Sequence, residues 1–381
     1  MSADFTEFRP VYVVGVGIDR YRKRTARPYV ELGLAATREA LADAGLRWSA
    51  VESAYIGTAL LGMASGRPML KHLGATGLPI THVENASATG AAAFRLACLE
   101  VATGVCEISA AIGVDKPVSV EPTGTGVPLL ADEVVTPATH FSLLTELYLD
   151  RWGVRVEDLA LVAVKNSRNG ARNPHAHRQT ARSLADVLHA RPIAGHVTAL
   201  QCCPVSEGAA AVIVASEEAI RLLGLDTGRA IRVAASAASS ERVHTTADAE
   251  YQLTAETTRR AMKQAAVEPG QLDVIELHDA FAIEEPLYLE AMGVCDPGRT
   301  VDRLKSGEFD IGGSCAVSPS GGLLAMGHPI GPTGLGQIAE LTRQLRGEAD
   351  TRQQPGARIG LAHLIGLGAV CYAHILMAEW N

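Results

Sequence analysis

The 381-residue sequence is poor in aromatic side chains, with 3 Trp, 8 Tyr and 6 Phe. Its core must therefore come from Ala, Val, Leu and Ile, which suits helices and strands layered at close spacing. Cations are also in the minority: 34 Lys plus Arg stand against 42 Asp plus Glu, a net charge of −8. That balance argues against non-specific nucleic-acid binding. The seven cysteines, Cys98, Cys106, Cys202, Cys203, Cys295, Cys315 and Cys371, contain no C-x-x-C pair. A disulfide framework and a structural zinc site are both excluded on that spacing, and no metal site is expected. No run of about 20 apolar residues occurs, so no membrane span is expected. The acidic residues ahead of the first apolar run do not make a secretory signal. The expectation is a soluble protein of a reducing, cytoplasmic compartment.

Apolar residues are abundant at 47%, charged residues make up 20%, and there are 37 glycines. This is the composition of a folded globular chain long enough for two or more packed units. An internal repeat says how they are arranged. Residues 37–57 and 258–278 both read as an amphipathic helix, a polar turn and a β-branched strand. Thr37, Arg38, Ala40 and Ala44 coincide with Thr258, Arg259, Ala261 and Ala265. Opening strands at Val11–Gly17 and Ala230–Ser236 precede the two copies, and strands at Ile108–Val114 and Ile359–Leu364 follow them. The pattern predicts an α/β fold of two related halves, 1–225 and 226–381, packed face to face with mostly parallel sheets.

Residues 116–200 have a different texture and are too long for a simple connection. They hold PTGTGVP at 122–128, a helix over His140–Trp152 and the basic stretch 165–182. An inserted loop subdomain is expected there. Lys165, Arg168, Arg172, Arg178 and Arg182 are either a solvated helix face or a contact for an anionic ligand.

Four turns carry residues capable of chemistry. Ser87, in VENASATG, lies at or beside a helix N-terminus, as an N-cap or as a functional hydroxyl. His278 follows an apolar strand in ELHDAF and precedes a helix. His328 sits in SPSGGLLAMGHPIGPTG, where glycine and proline impose a preset turn, and is a candidate for acid–base work. His363 ends an apolar strand, and Gly366 and Gly368 follow it in a turn able to offer backbone amides to an oxyanion. Each histidine also has the plainer reading of one that only satisfies a nearby carbonyl.

Together these segments resemble the thiolase family, and within it the sterol-carrier-protein-like and archaeal branch. The resemblance spans nearly the whole chain, and SGGLLAMGHPIGPTG is its most specific part. It implies a layered α-β-α-β-α arrangement of duplicated halves and a coenzyme A thioester as substrate, with no tightly bound cofactor. His328 matches the histidine that activates the nucleophile, and His278 one that helps hold the thioester carbonyl oxygen. His363 matches a proton-transfer residue, and Gly366 a backbone amide of the second oxyanion site. Lys165, Arg168 and Arg172, with Ser320 and Gly321, become candidate CoA contacts. Family membership further implies a homodimer or dimer of dimers and a possible small zinc-ribbon and OB-fold partner protein.

Where the family carries its nucleophilic cysteine, in NxCxTG, this sequence has Ser87. A thiol titrates near pH 8.5 and supplies thiolate at neutral pH, whereas a serine hydroxyl needs a general base in reach. An acyl group moved to serine also rests in a more stable oxoester, which opposes its return to CoA. Three readings of Ser87 stay open: an engineered replacement, a native slow acyl acceptor, or a native residue in a site with no covalent step. The asparagines usual before PSGG and after the C-terminal histidine are Ser318 and Leu364 here. The expected activity is making or breaking the Cα–Cβ bond of a 3-oxo- or 3-hydroxyacyl-CoA, by Claisen-type acyl transfer or by retro-aldol cleavage. The alternative is a non-catalytic acyl-CoA-binding subunit of a heteromeric complex.

Overall fold

The computed structural model of the chain describes residues 5–117, 136–242, 249–366 and 370–378. The PTGTGVP turn at 122–128 and Gly368 lie outside the described residues.

In chain order the first half holds strands β1 (Val11–Arg22), β2 (Ser53–Gly57), β3 (Ile80–Val83) and β4 (Ile108–Asp115), with helices α1 (Tyr29–Ala44), α2 (Gly66–Leu70) and α3 (Thr89–Ala102) between them. Next come helices α4 (Pro137–Trp152), α5 (Val156–Leu159), α6 (Leu161–Ala171) and α7 (Leu184–Leu188), then the hairpin of β5 (Pro192–Ala194) and β6 (Val197–Thr198). Strand β7 (Glu207–Ser216) and helix α8 (Glu217–Leu223) follow. The second half holds β8 (Ile231–Ser240), α9 (Ala249–Ala265), β9 (Val274–Glu276), α10 (Glu284–Ala291), α11 (Thr300–Lys305), β10 (Ala316–Val317) and α12 (Gly322–Ala325). It ends with α13 (Thr333–Arg346), β11 (Ile359–Gly366) and β12 (Val370–Met377).

Ten strands form one sheet in the order β10-β9-β11-β12-β8-β1-β7-β4-β2-β3. Its two sides repeat one plan: β3-β2-β4-β7-β1 on one and β10-β9-β11-β12-β8 on the other. Parallel and antiparallel pairings fall at the same places in both. The sides meet only at β1 and β8, where Tyr12 pairs with Arg232 and Val13 with Ile231. The sheet is therefore mixed, whereas alternating strand and helix patterns suggested mostly parallel pairing. Its antiparallel pairings all involve β7, β12 or the contact between the two opening strands, which the repeat in sequence does not orient.

Alternation along β1 explains the layering. Val11 and Val13 face a cluster with Phe94 of α3 and Leu335 and Ile338 of α13. Tyr12 and Val14 face the opposite way, onto Leu32, Ala36 and Ala40 of α1. Helices α3 and α13 thus form the middle layer, α1 covers the outer face of the first half and α9 that of the second. The result is the layered α-β-α-β-α arrangement of duplicated halves.

The middle helices touch backbone to backbone at their first turns. A Cβ on Gly90 would stand 2.6 Å from the Gly331 carbonyl oxygen, and one on Gly334 2.5 Å from the Ala91 nitrogen. No residue with a side chain fits at either position, and the approach fixes Ser87 of one half beside His328 of the other. Residues 136–200 are largely helical, with α4 packed on the second half through Phe141 and Tyr148. Helix α4 starts at Pro137, three residues earlier than the sequence suggested, because Thr136 caps it with Pro137 at its first position.

Candidate active site

Ser87 stands on a tight turn between β3 and α3. Ala86 takes a left-handed conformation with φ of 47°, costly for a residue with a side chain and maintained only by its surroundings. Those surroundings are visible: the Thr89 hydroxyl accepts from the Asn85 amide at 2.8 Å and donates to the Ala86 carbonyl at 2.6 Å. The turn half-exposes the Ser87 hydroxyl and sets it 2.9 Å from His328 Nε2.

The other side of the His328 ring fixes its protonation pattern. Nδ1 lies 2.8 Å from the Thr333 hydroxyl, which itself donates to the Pro329 carbonyl at 2.6 Å. A hydroxyl has one proton, so Thr333 accepts from Nδ1–H. Nε2 is left with its lone pair toward Ser87, the tautomer of a base. Burial, with His278 close by, lowers the His328 pKa to about 3, so the ring is neutral. Among the described residues no carboxylate stands behind it, in contrast to a Ser-His-Asp arrangement that stabilises the imidazolium.

His278 has that missing feature. Its ring sits edge-on to His328 with centroids 5.6 Å apart. Nδ1 lies 2.7 Å from Glu284 Oε1, and Glu284 is fully buried. The Glu284 carboxylate also accepts from the Phe281 amide at 2.7 Å and from the Tyr288 hydroxyl at 3.0 Å. His278 Nε2 is buried and has no hydrogen-bond partner. Asp279, the next residue, points elsewhere: it accepts from Asn166 Nδ2 at 2.5 Å and the Leu323 amide at 2.6 Å, tying the turn ahead of α12 to α6.

His363 is wholly buried inside β11 rather than at its end, because pairing with β12 continues to Gly366. Its Nε2 lies 3.1 Å from the Thr254 hydroxyl, and its Nδ1 has no partner. Burial and then His278 lower its pKa to about 3. Gly366 closes the cluster: a Cβ there would stand 2.4 Å from the Asn85 carbonyl oxygen, so the end of β11 lies directly against the Ser87 turn. Ser87, His278, His328, His363 and Gly366 are thus gathered from both halves of the sheet. Two buried ring nitrogens without partners beside a hydroxyl–imidazole pair are the mark of a site built to receive a polar ligand.

The candidate CoA contacts are placed differently. Lys165 requires correction: it is 2% exposed, its ammonium donates to the Val317 carbonyl at 2.6 Å and Asn166 Oδ1 at 2.8 Å, and it pairs with Glu285 at 3.1 Å. It faces the interior because α6 packs there. Ser320 is also buried, with its amide and hydroxyl both on the Glu276 carboxylate. Gly321, at φ of 104°, abuts Gly170 of α6. Arg168 pairs with Asp310, and Arg172 is exposed at the end of α6. Ser318 adopts φ of 51°, a conformation asparagine tolerates better than serine. Leu364 belongs to the core.

Sequence reasoning missed Glu284, Tyr288, Thr333 and Thr254. Glu284 reads as an acidic residue in a helical first turn, and only the fold carries it under His278. Among the described residues no group of three His, Cys, Asp or Glu is arranged to hold a metal ion, and no helix is long and apolar enough to cross a membrane.

Comparison with known proteins decides the family. The family profile described as "Thiolase, N-terminal domain" matches residues 21–182, and "Thiolase C-terminal domain-like" matches residues 235–378. The chain belongs to the thiolase family. Sterol carrier protein 2 of Oryctolagus cuniculus is 36% identical over 97% of this chain and 72% of its own length. Benzoylsuccinyl-CoA thiolase subunit BbsB of Thauera aromatica is also 36% identical, over 94% of this chain and 95% of its own. Acetyl-CoA acetyltransferase of Methanothermobacter thermautotrophicus is 32% identical over 96% and 99%. Among solved structures, the Ltp2-ChsH2(DUF35) aldolase superposes with a TM-score of 0.84 at 24% identity over 98% of both chains. Human mitochondrial 3-ketoacyl-CoA thiolase superposes at 0.74 and 19% identity, over 98% of this thiolase-family chain and 99% of its own. These two establish the shared fold.

Proposed function

We propose that this thiolase-family chain is an enzyme that makes or breaks the Cα–Cβ bond of an acyl-CoA, and that its site suits retro-aldol cleavage of a 3-hydroxyacyl-CoA. The observation that carries the reading is the unequal support of the two imidazoles nearest the serine. His278 has a buried carboxylate at its Nδ1 and a free Nε2, whereas His328 has only the Thr333 hydroxyl. Taking a proton onto His278 is compensated by Glu284. Taking one from Ser87 onto His328 would place a cation in a buried site with no counter-charge.

In this scheme His278 Nε2 removes the 3-hydroxyl proton. The Cα–Cβ electron pair passes to Cα as the new carbonyl forms at Cβ, giving a thioester enolate and a free carbonyl compound. The enolate oxygen is held by the Gly366 region and the Ser87 hydroxyl. His363 gives Cα a proton from Nδ1 as its Nε2 takes one up through the Thr254 hydroxyl, giving an acyl-CoA shortened by the released fragment. His328 orients Ser87. Substrate enters as a CoA thioester, and the chain supplies the acid–base groups itself.

The second reading, Claisen-type acyl transfer through Ser87, is favoured by the 2.9 Å contact to a correctly oriented His328 Nε2. Intact-mass measurement after mixing with 3-hydroxyacyl-CoA and 3-oxoacyl-CoA separates the two. Release of a carbonyl compound with no protein adduct supports retro-aldol chemistry. An acyl adduct abolished by Ser87→Ala, with CoA consumed, overturns it in favour of transfer. CoA binding with no turnover of either class would leave the non-catalytic subunit. A small partner protein is also part of the proposal, since one relative is named a subunit and one structural neighbour is a two-component aldolase. Co-purification with such a partner tests it.

A further inference from the structure

The contacts of His278 continue beyond Glu284 in one direction only. Tyr288 lies 3.0 Å from Glu284 Oε1 and 3.3 Å from Glu250 Oε2 on α9. Glu250 Oε1 lies 3.4 Å from Nε2 of His140 on α4, an ion-pair distance. Exposure rises along the series: the Glu284 side chain is 0% exposed, Glu250 30% and His140 41%. A chain of titratable groups therefore runs from solvent to a buried ring whose far nitrogen has no partner.

We propose that Glu284 is the positioning residue of His278 and the inner member of a proton path through Tyr288 and Glu250 to His140 at the surface. The inference rests on His278 being the acid–base group of the proposed reaction. Glu284 accepts from Nδ1–H, which leaves Nε2 as the atom that meets substrate. When Nε2 takes the substrate proton, the Nδ1 proton moves to Glu284. The Tyr288 hydroxyl, which donates to Glu284 at rest, turns toward Glu250 once Glu284 is protonated and gives its proton there as it receives the one from Glu284. Glu250 passes it to His140, which releases it to buffer. One proton enters at Nε2 and one leaves at His140, and the proton that His363 gives to Cα is replaced from buffer, so the cleavage is proton-neutral overall. The path is useful because substrate covers the Nε2 side, so Nδ1 is the only exit while the site is occupied.

The electrostatics agree with these roles. Burial, with Glu284 and Glu250 on either side, pushes the Tyr288 hydroxyl well above its ordinary pKa, so it remains a proton carrier rather than a phenolate. Glu250 raises His140. The other groups facing the path are His328 and His363 on the site side, Cys203 beside Glu284 and Cys371 beside Tyr288, and burial pushes both thiols up to about 12. Lys165 is committed to Glu285 and neutralises neither Glu284 nor Glu250.

The test uses the full chain in two independent measurements. Side-chain 15N spectra, with His278 assigned by its loss in His278→Asn, follow its titration directly and require no turnover. Glu284→Gln keeps the hydrogen bond but removes the charge, and should lower the His278 midpoint. An unmoved midpoint overturns the positioning role whatever the reaction proves to be. For the path, His140→Ala and Tyr288→Phe should slow acyl-CoA turnover about tenfold or more in weakly buffered solution. Imidazole buffer should restore most of the His140→Ala loss and little of the Tyr288→Phe loss. Equal slowing of His140→Ala in weak and strong buffer, or no slowing at all, overturns the path. If His278 titrates as expected but no acyl-CoA is turned over, the proposed reaction has failed and the Glu284 assignment stands.

Discussion

The Ser87 hydroxyl meets an imidazole that is oriented to accept its proton but poorly placed to keep it. His328 Nε2 lies 2.9 Å away with its lone pair forward, yet the group behind the ring is the Thr333 hydroxyl. Ser87→Ala is therefore expected to reduce kcat/KM about a hundredfold, the loss of one donor to the enolate oxygen. Removing a covalent nucleophile would instead cost about a thousandfold or more. Steady-state kinetics on the purified variant distinguish these, and a loss of the larger size would establish serine acylation.

Thr333 has a readable role of its own. In Thr333→Val the Nδ1–H of His328 loses its acceptor, and the ring can turn over to its other tautomer. Turnover should fall about tenfold with little change in KM, and Thr333→Ser should restore it because the hydroxyl is retained. A serine variant as impaired as the valine one would show that the methyl group, through packing, is what matters.

Lys165 is expected to govern stability rather than CoA affinity. Lys165→Met strands Glu285 in the core and should cost about 3–5 kcal/mol, seen as a large drop in Tm. Arg172→Ala, at an exposed position, should leave Tm nearly unchanged. A Lys165→Met protein that melts normally but binds CoA more than tenfold weaker would return the lysine to the ligand.

Buried histidines set an acid limit. His374, away from the Ser87–His328 pair, has its pKa lowered to about 3 from 6.5, first by burial and then by Arg95. Between those values the unfolded chain binds the proton and the folded one does not. Its contribution is complete above pH 6.5 and drains as pH falls below it. At pH 5 the loss attributable to this ring is about 2 kcal/mol. Urea unfolding of wild type and His374→Gln at pH 7.5 and pH 5 checks this, since the wild type should lose more stability on acidification than the variant. Parallel losses would show that the ring takes up a proton without unfolding.

Much of this organisation is legible in the chain itself. The repeat beginning at Thr37 and Thr258 marks equivalent helices in a sheet whose two sides follow one plan. His328 stands out because glycines and prolines surround it, and such a turn has few uses apart from holding a side chain still. Lys165 shows where the reading stops: a cation in a basic stretch looks solvated until the packing of α6 turns it inward. Glu284 fails for the opposite reason. The pair Glu284–Glu285 resembles an ordinary solvated helix start, yet one carboxylate meets His278 and the other Lys165. Side-chain direction at a helix end depends on what it packs against, and local sequence does not encode that.

The bare backbone contact between Gly90 and the first turn of α13 has an electrical consequence. Two helices of fourteen residues each present their amino-terminal ends to the same few ångströms of space, next to Ser87 and His328. Each end carries about half a positive charge from its aligned peptide dipoles. The two together disfavour imidazolium and favour any oxygen that becomes negative there. Because the field comes from main chain locked in the middle layer, it is complete when the protein has folded and needs no movement during a turnover. Enlarging either glycine would push the two dipoles apart, weakening the polarisation at the reacting oxygen and separating Ser87 from His328 in the same movement.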